Sequence, residues 1–144
     1  MPPNAVLREV TLTLPMAPDM EVAASKTATA MAEFMRMSPD KIDEVRLAVV
    51  EACINAFEHS RASDRKVHIT FAVLGEREPQ ALEITVRDAG VGFAPAALEE
   101  PRIEDKLKAA RKRGWGLKII QGLMDEVEIA SGEGGTTVVM RKLR

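Results

Sequence analysis

The sequence predicts an α+β fold: a two-layer sandwich with helices on one face of a mixed, mainly antiparallel sheet. Three observations predict it. The elements run β-α-α-β-β-loop-α-β-β, without the regular alternation of a doubly wound sheet. Strand-like runs come in pairs joined by short polar or Gly-rich turns, the pattern of hairpins. Two consecutive helical runs fill the first half and supply the second layer.

Each element carries its own signal. "AVLREVTLTLP" alternates apolar and polar residues, is rich in Val and Thr, and closes at Pro15; it reads as a strand. From Asp19 to Met37, the residues Met20, Ala23, Ala24, Thr27, Ala30, Met31, Phe34 and Met35 recur at helical spacing between charges, which predicts an amphipathic helix. Ser38-Pro39 reads as an N-cap followed by proline at the first helical position, opening a second helix to about His59. "RKVHITFAVL" and "ALEITVRD" flank a polar turn and form a hairpin, with Val67, Ile69, Phe71 and Val73 on one face of the first strand. Residues 89 to about 112 have little periodicity, two prolines and many charges. A helix over about 115–124 and two closing strands, "EVEIAS" and "TTVVMRKL", complete a single domain over residues 1–144.

Composition narrows the function classes. At 46% hydrophobic and 29% charged residues, the chain has the balance of an ordinary soluble protein. A formal charge of -2 argues against a nucleic-acid surface, which needs clustered Lys and Arg. A single cysteine excludes an intramolecular disulfide and any multi-cysteine metal site. The N-terminus has no signal-peptide apolar run and no stretch approaches a membrane span, so the expected location is cytoplasmic.

Four constellations could carry chemistry. In "VEACINAFEHS", Glu51, Asn55 and His59 recur every four residues, so Glu51 and Asn55 project from nearly one stripe and His59 lies a turn further. Ala48, Ala52 and Ala56 flank that stripe and leave room for a ligand. A glutamate and an amide oxygen one turn apart can supply a general base and a ligand for a hard cation. "DAGVG" ends a strand with Asp88 as a hydrogen-bond acceptor and Gly90 and Gly92 for close backbone approach. "RKRGWGLKII" sets Arg111, Lys112 and Arg113 before Gly114, Gly116 and Leu117 at a helix start, an arrangement suited to anions. The preceding loop of roughly 20 residues has the length of a lid, and its charges and prolines predict mobility. "GEGGTT" leads into the last strand with Thr136 and Thr137. Taken singly, these are also an amphipathic helix's polar face, two ordinary glycine turns and a capped helix. Cys53 and His59 lie on different sides of their helix and form no nucleophile–base pair; Cys53 reads as a core residue.

Together and in this order, the four resemble the N box and the three glycine boxes of the GHKL (Bergerat-fold) ATPases, which include gyrase, MutL and histidine-kinase ATP domains. Within that superfamily, the short chain and "EACINAFEHS" look most like anti-sigma-factor serine-protein kinases of the RsbW and SpoIIAB type. The likeness runs from about Val6 to Lys142. It implies ATP and Mg²⁺ as cofactors. Glu51 would take the proton from a substrate serine, and Asn55 would hold Mg²⁺ against the triphosphate. Asp88 would accept from the adenine amino group, with Gly90, Gly92 and Thr136 shaping that side. Gly114, Gly116 and Leu117 would close over the phosphates. Lys112 and Arg113 stand where the family carries a cation for the γ-phosphate, and which of these or Arg111 serves stays open. His59 matches a frequent residue at the end of the N box and counts with the nucleotide contacts. The implied activity is phosphorylation of a serine on a STAS-domain antagonist, with a sigma factor as second partner. The alternative is a non-catalytic module whose nucleotide occupancy switches partner affinity; an intact Glu51 speaks against it. Oligomeric state stays open, a homodimer included.

Overall fold

The computed structural model describes residues 5–60, 62–89, 116–132 and 134–144. In chain order these form β1 (Val6–Pro15), α1 (Met20–Phe34), α2 (Pro39–His59), β2 (Lys66–Gly75), β3 (Pro79–Asp88), a helix α3 over 116–123, β4 (Glu126–Gly132) and β5 (Gly135–Leu143). The strands make one sheet in the order β1-β2-β3-β5-β4, and every neighbouring pair is antiparallel. The helices layer against it, so the α+β sandwich is the observed architecture.

Pairing register decides which residues meet. Ile69 lies opposite Val86, Phe71 opposite Ile84 and Val73 opposite Leu82, so the apolar rows of β2 and β3 share one face. Met140 and Val138 of β5 extend those rows beyond Ile84 and Val86. Onto this face α1 packs Ala24, Ala28, Met31 and Ala32, α2 packs Val45, Val49 and Cys53, and α3 packs Ile120, with Met124 just past that helix, all in one buried cluster. Burying each large side chain contributes about 1.5–3 kcal/mol, which makes this face the main source of stability. The opposite face mixes a small buried apolar cluster of Ala72, Leu74 and Ala81 with ion pairs: Arg141 donates to Glu83 at 2.6 Å and to Glu126 at 2.8 Å across three strands.

Helix ends follow local chemistry. The Ser38 side chain accepts from the Lys41 amide at 3.3 Å and Pro39 occupies the first turn, as its lack of an N–H permits. α1 stops at Phe34, short of the expected Met37. Arg36 turns left-handed (φ 59), letting the Met37 amide reach the Ala32 carbonyl at 3.1 Å and the Arg36 amide reach Glu33 at 2.9 Å. In the β2–β3 hairpin, a Cβ on Gly75 would stand 2.0 Å from the Glu78 carbonyl oxygen, so only glycine fits.

Candidate functional site

The second half of α2 and the ends of β3 and β5 frame a pocket. Its helical wall is Ala52, Asn55 and Ala56, with Ser60 just beyond the helix. Its sheet wall is Val86, Asp88, Thr136 and Val138. The two alanines carry nothing past Cβ, so they leave a gap over the sheet that larger side chains would fill. Ala48, one turn earlier, is fully buried in the core and lies outside the pocket.

Asp88 owes its position to strand alternation. Leu82, Ile84, Val86 and Asp88 fall on one side of β3, and that side faces the helices. The row thus ends in a carboxylate that is only 6% exposed. Across the ladder, Asp88 lies directly opposite Thr136, as Val86 lies opposite Val138. Directly opposite residues keep their Cβ atoms about 4.5–5.5 Å apart. A buried carboxylate beside a hydroxyl and two valines, with Asn55 and Ser60 on the helical side, offers an acceptor of hydrogen bonds in a pocket of mixed lining. That suits a flat, amine-bearing ligand edge.

Glu51 is placed differently. Its Oε2 lies 3.8 Å from where a Cβ on Gly116 would stand, so α3 brings its glycine against this carboxylate. Asn55, one turn along α2, opens toward the pocket instead. The expected residues therefore fall in two adjoining groups: Asn55 with Asp88 and Thr136, and Glu51 with Gly116. His59 is half-buried at the last turn of α2, its Nε2 3.9 Å from Glu58, and does not line the pocket. Leu117 packs its side chain against the core cluster. Gly90, Gly92, Arg111, Lys112, Arg113, Gly114 and the expected lid lie outside the described residues.

The end of α2 is fastened where the pocket needs it. The Arg65 guanidinium donates to the carbonyls of Ser60 at 3.3 Å and Phe57 at 3.5 Å, and the Ser60 hydroxyl accepts from the Ala62 amide at 3.1 Å. Ser60 was not among the expected site residues. Its signal was its place as the first residue after a helix whose polar stripe points at the pocket. Cys53, on the core side of α2, has its thiol pushed up to about 12, chiefly by burial and secondarily by Glu21. It is inert as a nucleophile.

Among the described residues, no cluster of His, Cys, Asp or Glu could hold a metal ion alone. Asn55 offers one neutral oxygen donor. That fits Mg²⁺ delivered with phosphates, since this ion keeps several waters and takes few protein ligands. No helix among the described residues is long and apolar enough to cross a membrane.

Comparison with known proteins places these features in context. Residues 14–142 match the model of the histidine kinase-like ATPase domain. The serine-protein kinase RsbW of Bacillus licheniformis is 34% identical over 122 residues, covering 81% of this chain and 73% of the relative. That of Bacillus subtilis (strain 168) is 30% identical over 139 residues, covering 92% and 84%. Among solved structures, the RsbU and RsbW domains of a Mycobacterium tuberculosis protein superpose with a TM-score of 0.68 at 20% identity. The match covers 94% of this chain and 32% of that one, so this chain spans about a third of its length. The SiaB–SiaC complex of Pseudomonas aeruginosa gives 0.51 at 15% identity, covering 96% and 91%. Both share the fold.

Proposed function

The chain belongs to the histidine kinase-like ATPase domain family, and within it to the RsbW serine-protein kinases; we propose that it transfers phosphate from ATP to a serine of a STAS-domain antagonist and that it also holds a sigma factor. A protein serine kinase is what this membership makes it. Residues 1–144 act as one catalytic domain in this reading.

The observation that carries the reading is the convergence of Asn55, Asp88 and Thr136 on one pocket, with Glu51 one helical turn away. In our reading Asp88 accepts a hydrogen bond from the adenine amino group and Thr136 supports the same edge. Val86 and Val138, side by side on the sheet, give the purine an apolar floor. Asn55 would hold Mg²⁺ through its side-chain oxygen. Bound there, the ion supplies charge neutralisation at the phosphates. Glu51 takes the proton from the serine hydroxyl as its oxygen bonds to the γ-phosphorus. The bond from that phosphorus to the bridging oxygen breaks, and ADP leaves with the electron pair. Lys112 and Arg113 are assigned to the γ-phosphate, with Gly90, Gly92, Gly114, Gly116, Leu117 and His59 as further nucleotide contacts.

Phosphoryl transfer demands positioning and electrostatic stabilisation more than covalent chemistry from the protein. The test is incubation with labelled ATP, Mg²⁺ and candidate STAS-domain proteins. Glu51→Ala should keep ATP binding and lose transfer by roughly 10²–10⁴-fold, the contribution of a general base. Transfer at the wild-type rate would remove Glu51 from that role. A wild-type chain that binds partners yet phosphorylates none would favour the nucleotide-switch alternative.

A further inference from the structure

Among the described residues, Lys142 is a buried cation that the reaction scheme leaves unused. It sits on β5 opposite Leu82, on the helix-covered face, and is only 5% exposed. Its ammonium donates to the Glu44 carboxylate on α2 at 2.6 Å and to the Leu123 carbonyl, at the last helical residue of α3, at 2.5 Å. Burying an ammonium costs several kcal/mol before its partners compensate, so an apolar residue at this position would serve stability as well or better.

The two ends of the described part of α3 explain what the lysine does. At one end Gly116 meets Glu51 of α2; at the other Leu123 is joined through Lys142 to Glu44 of α2. Glu44 and Glu51 are seven residues apart, as are Gly116 and Leu123, and the order is reversed. The helices therefore run antiparallel over two turns, with one contact at each end. Gly116 and Ile120 of α3 are buried one turn apart, as a packed helical stripe requires, and Met124 just past the helix continues the spacing, its amide donating to the Ile120 carbonyl at 3.0 Å. Each residue of slip along such a helix displaces it by about 1.5 Å, enough to part Gly116 from Glu51. Apolar packing alone holds such a slide weakly, whereas a directed two-partner bond defines one position. Two bonds beside it fix the following turn: Asp125 N to Arg141 O at 2.9 Å and Leu143 N to Asp125 Oδ2 at 2.7 Å.

We propose that Lys142 pins the register of α3 along α2, and thereby sets the distance between Gly116 and the carboxylate of Glu51; it is a positioning residue for the kinase site. This rests on the functional reading above only for its effect on nucleotide, not for the pin itself.

The test uses the full chain with Lys142→Met, a substitution close to the lysine stem in volume. Glu44, with its side chain 38% exposed, falls back on water when the ammonium is removed. Three quantities are measured: thermal midpoint, amide hydrogen exchange over residues 116–124, and affinity for Mg²⁺-ATP by calorimetry. The expected result is a midpoint within a few degrees of wild type, exchange faster by at least tenfold in that segment, and ATP bound at least fivefold more weakly. Unchanged exchange with unchanged affinity would overturn the pin. A merely structural role is indicated, and the proposal refuted, if the midpoint falls while the folded fraction binds ATP normally. Glu44→Gln keeps an acceptor but removes its charge, and should move exchange and affinity in the same direction by a smaller factor. It decides the matter if Lys142→Met does not fold. If the wild type binds no ATP, the nucleotide reading fails and exchange alone judges the pin.

Discussion

Asp88→Asn tests the adenine contact proposed for Asp88. The replacement has nearly the same shape, so the pairing of residue 88 with Val67 on one side and Thr136 on the other is retained. What changes is the acceptor: a carboxylate 6% exposed becomes a neutral amide that presents either a weaker oxygen or a repelling NH₂ to the adenine amine. Hydrogen bonds to charged groups contribute about 1.5–3 kcal/mol, and at about 1.4 kcal/mol per decade this amounts to roughly 10- to 150-fold in Kd. Val86 and Val138 beside it offer no hydrogen bond in place of the lost one. Calorimetric titration with ATP and GTP measures it. Wild type should prefer ATP, because guanine presents a carbonyl where adenine presents an amine, and the variant should lose most of that preference while melting within a few degrees of wild type. A change in ATP affinity below threefold, or equal wild-type affinity for ATP and GTP, would refute the assignment of Asp88.

Three further outcomes follow from single positions. Gly116→Ala sets a methyl 3.8 Å from Glu51 Oε2, ordinary contact in a helix that favours alanine by up to about 1 kcal/mol; the melting temperature should hold or rise while phosphate transfer falls about tenfold. Gly75→Ala forces a Cβ to within 2.0 Å of the Glu78 carbonyl, so urea denaturation should show a loss of about 2 kcal/mol or more as the hairpin shifts. Cys53 keeps its proton in the folded chain up to about pH 12, whereas the unfolded thiol ionises near 9. Its contribution is therefore full below pH 9 and declines above it, by about 1.4 kcal/mol per pH unit; the stability difference between wild type and Cys53→Ala, followed from pH 8 to 10.5, should show that slope, and a flat difference would contradict it.

The strands were legible because β-branched and aromatic residues alternate cleanly in "VHITFAV" and "LEITV", and because proline or glycine closes the runs. Ser38-Pro39 marked the start of α2 for an equally local reason. The end of α1 was less legible: apolar spacing continues through Met35 and Met37, while the left-handed Arg36 ends the helix without the glycine that usually signals it. The site residues could be named by their order, but their meeting could not be derived from spacing. Asp88 and Thr136 are 48 residues apart in the sequence and become neighbours only because β5 inserts beside β3 rather than at the sheet's edge. Ser60 escaped notice because a helix cap reads as punctuation. Lys142 did so because a lysine near the end of an exposed-looking strand reads as solvated; the available signal was its parity with Val138 and Met140.

The placing of Asp88 at the end of an apolar row has a consequence for assembly of the chain. In a ladder of period two, sliding β3 past β5 by one residue would carry the carboxylate to the outer face and bring Arg87 inward with Thr85. A nucleotide that depends on Asp88 can bind only molecules whose strands have paired in step, and by mass action it draws the population toward them. ATP would then act as an inspector of sheet pairing as well as a phosphate donor. A chain lengthened by one residue between Pro79 and Arg87 would fail that inspection even where its core still collapsed, whereas two residues added to the turn at 76–78 would pass.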